Sequence, residues 1–161
     1  MRNFDYQTPT RLIFGKGGVE KKLKSVMAKF GKRVLITYGG GSIKRSGLYD
    51  QVLQILEDKE IYELPGIEPN PKFNPSVLDG VRICKEKDID VILAVGGGSV
   101  LDCTKAIAGA ACSDADPWDI VTGKAPTLKA IPIVDIITLA ATGSEYDSGA
   151  VISSTETNDT L

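Results

Sequence analysis

The sequence predicts an α/β fold, a Rossmann-like parallel sheet with flanking helices, and two observations carry that expectation. The first lies at residues 90–105, where Val91, Ile92, Leu93, Ala94 and Val95 are all apolar, as in a parallel strand covered on both faces. The run breaks at Gly96, Gly97 and Gly98. Residues 100–112 then carry a helical apolar face of Val100, Leu101, Thr104, Ile107, Ala108 and Ala111. The second is the alternation of short strands with longer amphipathic helices along the rest of the chain, which argues for βαβ units.

In chain order, residues 8–14 read as a short strand ending at Gly15. A helix over 19–30 places Val19, Leu23, Val26, Met27 and Phe30 on one face, with Gly31 suited to its C-terminal cap. Residues 33–38 form the next strand, and Gly39, Gly40, Gly41 and Ser42 make a glycine-rich turn. A helix over 47–58 faces inward through Leu48, Val52, Ile55 and Leu56, and 61–64 is a strand. The loop 66–75 contains Pro69-Asn70-Pro71, and a helix over 76–87 follows with Val77, Val81 and Cys84 inward. After the central strand and helix, 113–129 reads as a loop holding Trp118; 130–137 and 150–153 read as strands.

At 161 residues the chain suits one domain with a sizeable core, and 42% hydrophobic with 25% charged residues is ordinary for a soluble protein. A net charge of −2 without a block of like charge argues against nucleic-acid or anionic-membrane partners. No run approaches a transmembrane span and the N-terminus has no apolar signal core, so the expected location is cytoplasmic. Cys84, Cys103 and Cys112 lack metal-ligand spacing and are expected to be reduced, buried thiols. The sequence has no histidine, which removes the ordinary imidazole acid–base group and the ordinary zinc site.

Gly96, Gly97, Gly98 and Ser99 leave bare backbone N–H groups at a positive helix end, a place for a phosphate. A tight turn that merely lets the helix pack on its strand is the structural alternative. Asp102 stands three residues after Ser99 and reads as a capping-box-like partner in the first turn. Lys105 can pair with Asp102 or hold a structural position. At Gly39 the strand ends without the acid that commonly binds a ribose 2′-hydroxyl, and Ser42, Lys44 and Arg45 follow, which suits a 2′-phosphate. The hydroxyls of Thr138, Thr142 and Ser144, around Leu139, are candidate hydrogen-bond groups for phosphate or nicotinamide.

Four motifs together resemble the iron-containing (group III) alcohol dehydrogenases: Gly-Gly-Gly-Ser-x-x-Asp-x-x-Lys from Gly96 to Lys105, Thr138-Leu139-Ala140-Ala141-Thr142-Gly143-Ser144-Glu145, Thr8-Pro9-Thr10-Arg11-Leu12-Ile13-Phe14-Gly15, and Pro69-Asn70-Pro71. They are most similar to the butanol dehydrogenase and NADPH-dependent aldehyde reductase branch. The resemblance implies the N-terminal cofactor domain of a dehydroquinate-synthase-like fold over residues 1–161. It places Asp102 beside the cofactor and Asn70 near its adenosine end, and tips the cofactor toward NADP, with NAD second. It further implies a small primary alcohol or aldehyde substrate and a homo-oligomer. The iron or zinc of the full-length enzyme would be held by one aspartate and three histidines beyond residue 161, in an all-helical domain absent here. This chain alone is therefore expected to be inactive. Departures from the family pattern are Ala140 for a proline, Asp147 in place of a neutral residue and Thr160 for a lysine. A non-catalytic nucleotide-binding module is the alternative from another class. A glycerol-dehydrogenase-like relative is the alternative among enzymes, disfavoured by Thr142-Gly143-Ser144-Glu145.

Overall fold

The structure, a computed structural model, describes residues 8–141 and 143–154. Among them, β1 (Arg33–Tyr38), β2 (Glu60–Leu64), β3 (Val91–Gly96) and β4 (Ile133–Ile137) form one parallel sheet in the order β2-β1-β3-β4. The helices are α1 (Gly18–Met27), α2 (Ser42–Arg45), α3 (Leu48–Ile55), α4 (Leu78–Glu86), α5 (Gly98–Ala111) and α6 (Pro117–Val121). Parallel neighbours require crossover connections: α2 and α3 join β1 to β2, α4 joins β2 to β3, and α5 and α6 join β3 to β4.

β1 and β3 are central and pair from Val34↔Val91 to Tyr38↔Val95. Successive side chains point to opposite faces, so both strands are largely apolar, with Thr37 the buried polar exception in β1. Val34, Ile36, Val91, Leu93 and Val95 pack with Leu23 and Met27 of α1 and Val52 of α3. Leu35, Ile92 and Ala94 pack on the other face with Val81 and Cys84 of α4 and Leu101 and Ile107 of α5. α5 is buried around most of its circumference between the sheet, α4 and α6. Two buried hydroxyls pin it to β1. Thr104 donates to the Val100 carbonyl at 2.8 Å and lies 2.7 Å from the Thr37 hydroxyl, which is left to donate.

α4 and α5 meet closely at Gly80, where a Cβ would lie 2.3 Å from Ile107 Cδ1. Ile107 is fully buried and has little room to yield. Gly80→Ala is expected to destabilise despite its better helix propensity, since overpacking costs about 1–3 kcal/mol and propensity returns about 1. Thermal denaturation should show a lower Tm, recovered in part when Ile107→Val is added.

Several expectations are corrected. Residues 8–14 form no strand. They face β4 across a cleft of about 2060 Å³, with no neighbouring strand among the described residues to satisfy their backbone, and Phe14 is exposed. Residues 150–153 contribute only a bridge, Ser153 to Lys72, with Ser153 N–H donating to the Pro71 carbonyl and Phe73 N–H to that of Ser153. α1 ends at Met27 rather than at Gly31. Its terminal region is held by Lys59 Nζ, which donates to the carbonyls of Met27, Phe30 and Gly31. Gly31 instead makes room for Asp90, since a Cβ there would lie 2.3 Å from the carboxyl carbon. The loop 113–129 contains α6, started by Asp116 accepting from the Trp118 N–H and by Pro117 in the first turn. The three cysteines are free, but Cys112 at the end of α5 is exposed.

Candidate functional site

In the order β2-β1-β3-β4 the chain leaves β1 toward one side and returns on the other, so the direction of winding reverses between β1 and β3. The carboxyl ends flanking such a reversal form the crevice in which open α/β sheets bind ligands. Both Gly-Gly-Gly-Ser turns lie there, one at the end of each strand, and Tyr38 and Val95 pair just before them. Two turns far apart in the chain thus become neighbours.

α5 begins at Gly98, with Gly97 as its cap and no side chain capping it. The N–H groups of Val100 and Leu101 turn back on the Gly97 carbonyl. The preceding first-turn amides have no intrahelical partner, and no side chain of the cap covers them. Gly96 is required by packing, because a Cβ would lie 2.6 Å from Val100 Cγ2. Gly97 is open, its nearest neighbour being Leu139 Cβ at 4.0 Å. The second motif reaches this turn through the Thr138 N–H, which donates to the Gly96 carbonyl at 2.9 Å. Thr138 and Leu139 are exposed beside it.

Asp102 takes a different part from the one its spacing predicts. Since α5 begins at Gly98, Asp102 lies beyond the first turn and forms no capping box with Ser99. Its carboxylate accepts from the Ser144 hydroxyl at 2.6 Å and from the Val151 N–H at 3.2 Å. Lys105, one turn on, donates to Ser144 Oγ, to the Ser144 and Gly149 carbonyls and to Asp147 Oδ1. That hydrogen bond is the main reason the Asp147 carboxyl sits below its ordinary pKa. Asp102 and Lys105 therefore tie the loop 144–151 onto α5. Ser144 is buried and its hydroxyl is committed within this knot. Thr142 and Thr160 lie outside the described residues.

On the other side of the crevice, the Gly66 and Ile67 N–H groups donate to the carbonyls of Gly39 and Tyr38, bringing the Pro69-Asn70-Pro71 loop to the first glycine turn. Asn70 is exposed at φ 55, a left-handed conformation that asparagine tolerates better than most residues. Gly41, at φ 101, turns the chain into α2, so that Ser42, Lys44 and Arg45 surround the turn. A Cβ on Gly39 would approach the Ile67 carbonyl oxygen to 3.2 Å, while Gly40 faces open space.

Asp135 was not singled out from the sequence, although an acid inside the apolar strand 130–137 was a usable signal. It lies opposite Ala94, shares the strand face of Ile133 and Ile137, and lines the cleft. Neither carboxyl oxygen has a hydrogen-bond partner among the described residues. Burial, reinforced by Glu145 and opposed by Lys105, pushes its pKa up to about 7. The described residues contain no group of three or more His, Cys, Asp or Glu placed to hold a metal ion. None of their helices is long and apolar enough to cross a membrane.

A reversed parallel sheet with glycine turns at adjoining strand ends defines a Rossmann-like α/β domain. The model of the iron-containing alcohol dehydrogenases matches residues 9–161, and the chain belongs to that family. It is 56% identical to the probable NADH-dependent butanol dehydrogenase 1 of Bacillus subtilis, over 99% of this chain and 41% of that protein. It is 47% identical to the NADPH-dependent aldehyde reductase YqhD of Escherichia coli, again over 99% and 41%. The solved structure of NADH-dependent butanol dehydrogenase A from Thermotoga maritima superposes with a TM-score of 0.93 at 40% identity, covering 100% of this chain and 41% of that one. The chain thus spans about two fifths of the length of these relatives.

Proposed function

We propose that the chain is a single cofactor-binding domain of an NADP-dependent alcohol dehydrogenase or aldehyde reductase acting on small primary alcohols or aldehydes. The observation that carries this is the pairing of the two glycine turns at the reversal of the sheet, beside an α5 N-terminus that no side chain caps. Gly96, Gly97, Gly98 and Ser99 hold the pyrophosphate on backbone N–H groups. Gly39, Gly40, Gly41, Ser42 and Asn70 hold the adenosine end. Thr138 and Leu139 border the path toward the nicotinamide, which supplies hydride transfer when bound, and Thr142 is a further candidate by its motif alone. Asp102 and Ser144 shape that border by fixing the loop behind it.

Relatives of both cofactor preferences match this chain. The reading favours NADP because β1 ends in Gly39 instead of an acid, with Lys44 and Arg45 nearby. The described residues do not fit a metal ion. The test is isothermal titration of the 161-residue chain with NADPH and NADH. NADPH should bind at least as tightly, and absence of binding by both would overturn the reading. Gly39→Asp places a carboxylate at the ribose end and should weaken NADPH more than NADH, by about tenfold, or 1.4 kcal/mol. The crowding at the Ile67 carbonyl should lower Tm slightly for this variant in both states.

A further inference from the structure

Lys44 sits on two aromatic rings. Its ammonium lies 5.4 Å from the centroid of Tyr38 and 4.6 Å from that of Tyr49, and the rings are tilted by 59° with centroids 5.7 Å apart. The Tyr38 phenol is directed to a third group, donating to Glu63 Oε1 at 3.1 Å. The same carboxylate raises the Tyr49 phenol above its ordinary pKa. Glu63 is therefore engaged by Tyr38, and Lys44 enters no ion pair among the described residues. Tyr38 is buried at the end of β1, so the platform is continuous with the strand that leads into the Gly39 turn.

We propose that Tyr38, Tyr49 and Glu63 are positioning residues that hold Lys44, with its charge unneutralised, beside the Gly39–Ser42 turn to recognise a nucleotide 2′-phosphate. This rests on the nicotinamide-dinucleotide reading and deepens it. A free lysine side chain loses rotamer entropy when it is fixed. Two ring faces reduce that loss in advance, which is how a preorganised contact gains affinity. Glu63 would cancel the charge if it paired with Lys44, and the Tyr38 phenol keeps it engaged elsewhere.

Two probes differing only in the 2′-phosphate, adenosine 2′,5′-bisphosphate and 5′-AMP, can be titrated into the 161-residue chain. The bisphosphate should bind at least about tenfold more tightly. Lys44→Met, at an exposed site, should remove most of that ratio and leave 5′-AMP unchanged. Tyr49→Phe retains the ring and should retain most of the ratio, whereas Tyr49→Leu should lose it as Lys44→Met does. A full ratio in Lys44→Met overturns the proposal, as does its complete loss in Arg45→Met, because Arg45 Nη1 lies only 3.7 Å from a Cβ built on Gly41. Failure of both nucleotides to bind the unmutated chain would overturn the dinucleotide reading itself, and this inference with it.

Discussion

Asp135→Asn is expected to stabilise the protein at alkaline pH, and the gain should vanish on acidification. The Asp135 carboxyl is buried on β4 without a hydrogen-bond partner among the described residues, and its pKa rises from 3.8 to about 7. The folded state therefore holds this proton more tightly than the unfolded chain does. Its stabilising contribution is complete below about pH 4 and is lost as pH rises through about 7. A shift of that size corresponds to on the order of 4 kcal/mol of stability once the group is ionised in both states. Asparagine has nearly the same shape and does not titrate in this range. Urea denaturation at about pH 4 and pH 8 should give a variant-minus-parent difference that grows with pH by a few kcal/mol. The amide meets the same unpartnered surroundings at both pH values, so its fixed cost leaves the growth unaffected. A difference independent of pH would show that Asp135 is not a strained buried acid.

Gly97→Val should abolish cofactor binding while leaving the fold intact. Gly97 has φ −89 and ψ −172, an extended conformation open to any residue, and its Cβ would meet nothing nearer than Leu139 at 4.0 Å. The new branches would occupy the open space over the first turn of α5, where the proposed phosphate oxygens approach. Loss of that approach should weaken NADPH by about 100-fold or more, equivalent to roughly 2.7 kcal/mol. The far-ultraviolet circular dichroism and Tm should change little. Gly96→Val makes the contrasting control, because its Cβ would collide with Val100 at 2.6 Å and lower stability. Undiminished NADPH binding by Gly97→Val would place the phosphate site elsewhere.

Legibility in the sequence followed the range of the interaction concerned. β1 and β3 are legible almost to the residue because continuous burial on both faces leaves a largely apolar run. α6 was overlooked although Asp116 and Pro117 carry its start signal, because five residues are too few to show a periodic face. The strand expected over 8–14 fails for another reason: Leu12, Ile13 and Phe14 suit a strand, but no other strand adjoins them among the described residues.

The amino-acid order by itself determined the α/β class, the glycine turns after β1 and β3 and the candidate residues around them, since each rests on contacts within a few positions. Family membership was likewise carried by local motifs whose order along the chain survives without coordinates. Tertiary structure alone decided that the two turns adjoin, that Asp102 and Lys105 grip a loop about 40 residues away and that the Asp135 carboxyl is buried without a hydrogen-bond partner among the described residues. It likewise decided that Tyr38 and Tyr49 lie beneath Lys44 and that Tyr38 bonds Glu63. Crossover topology and side-chain packing create those neighbours, and neither is encoded in any single window of the chain.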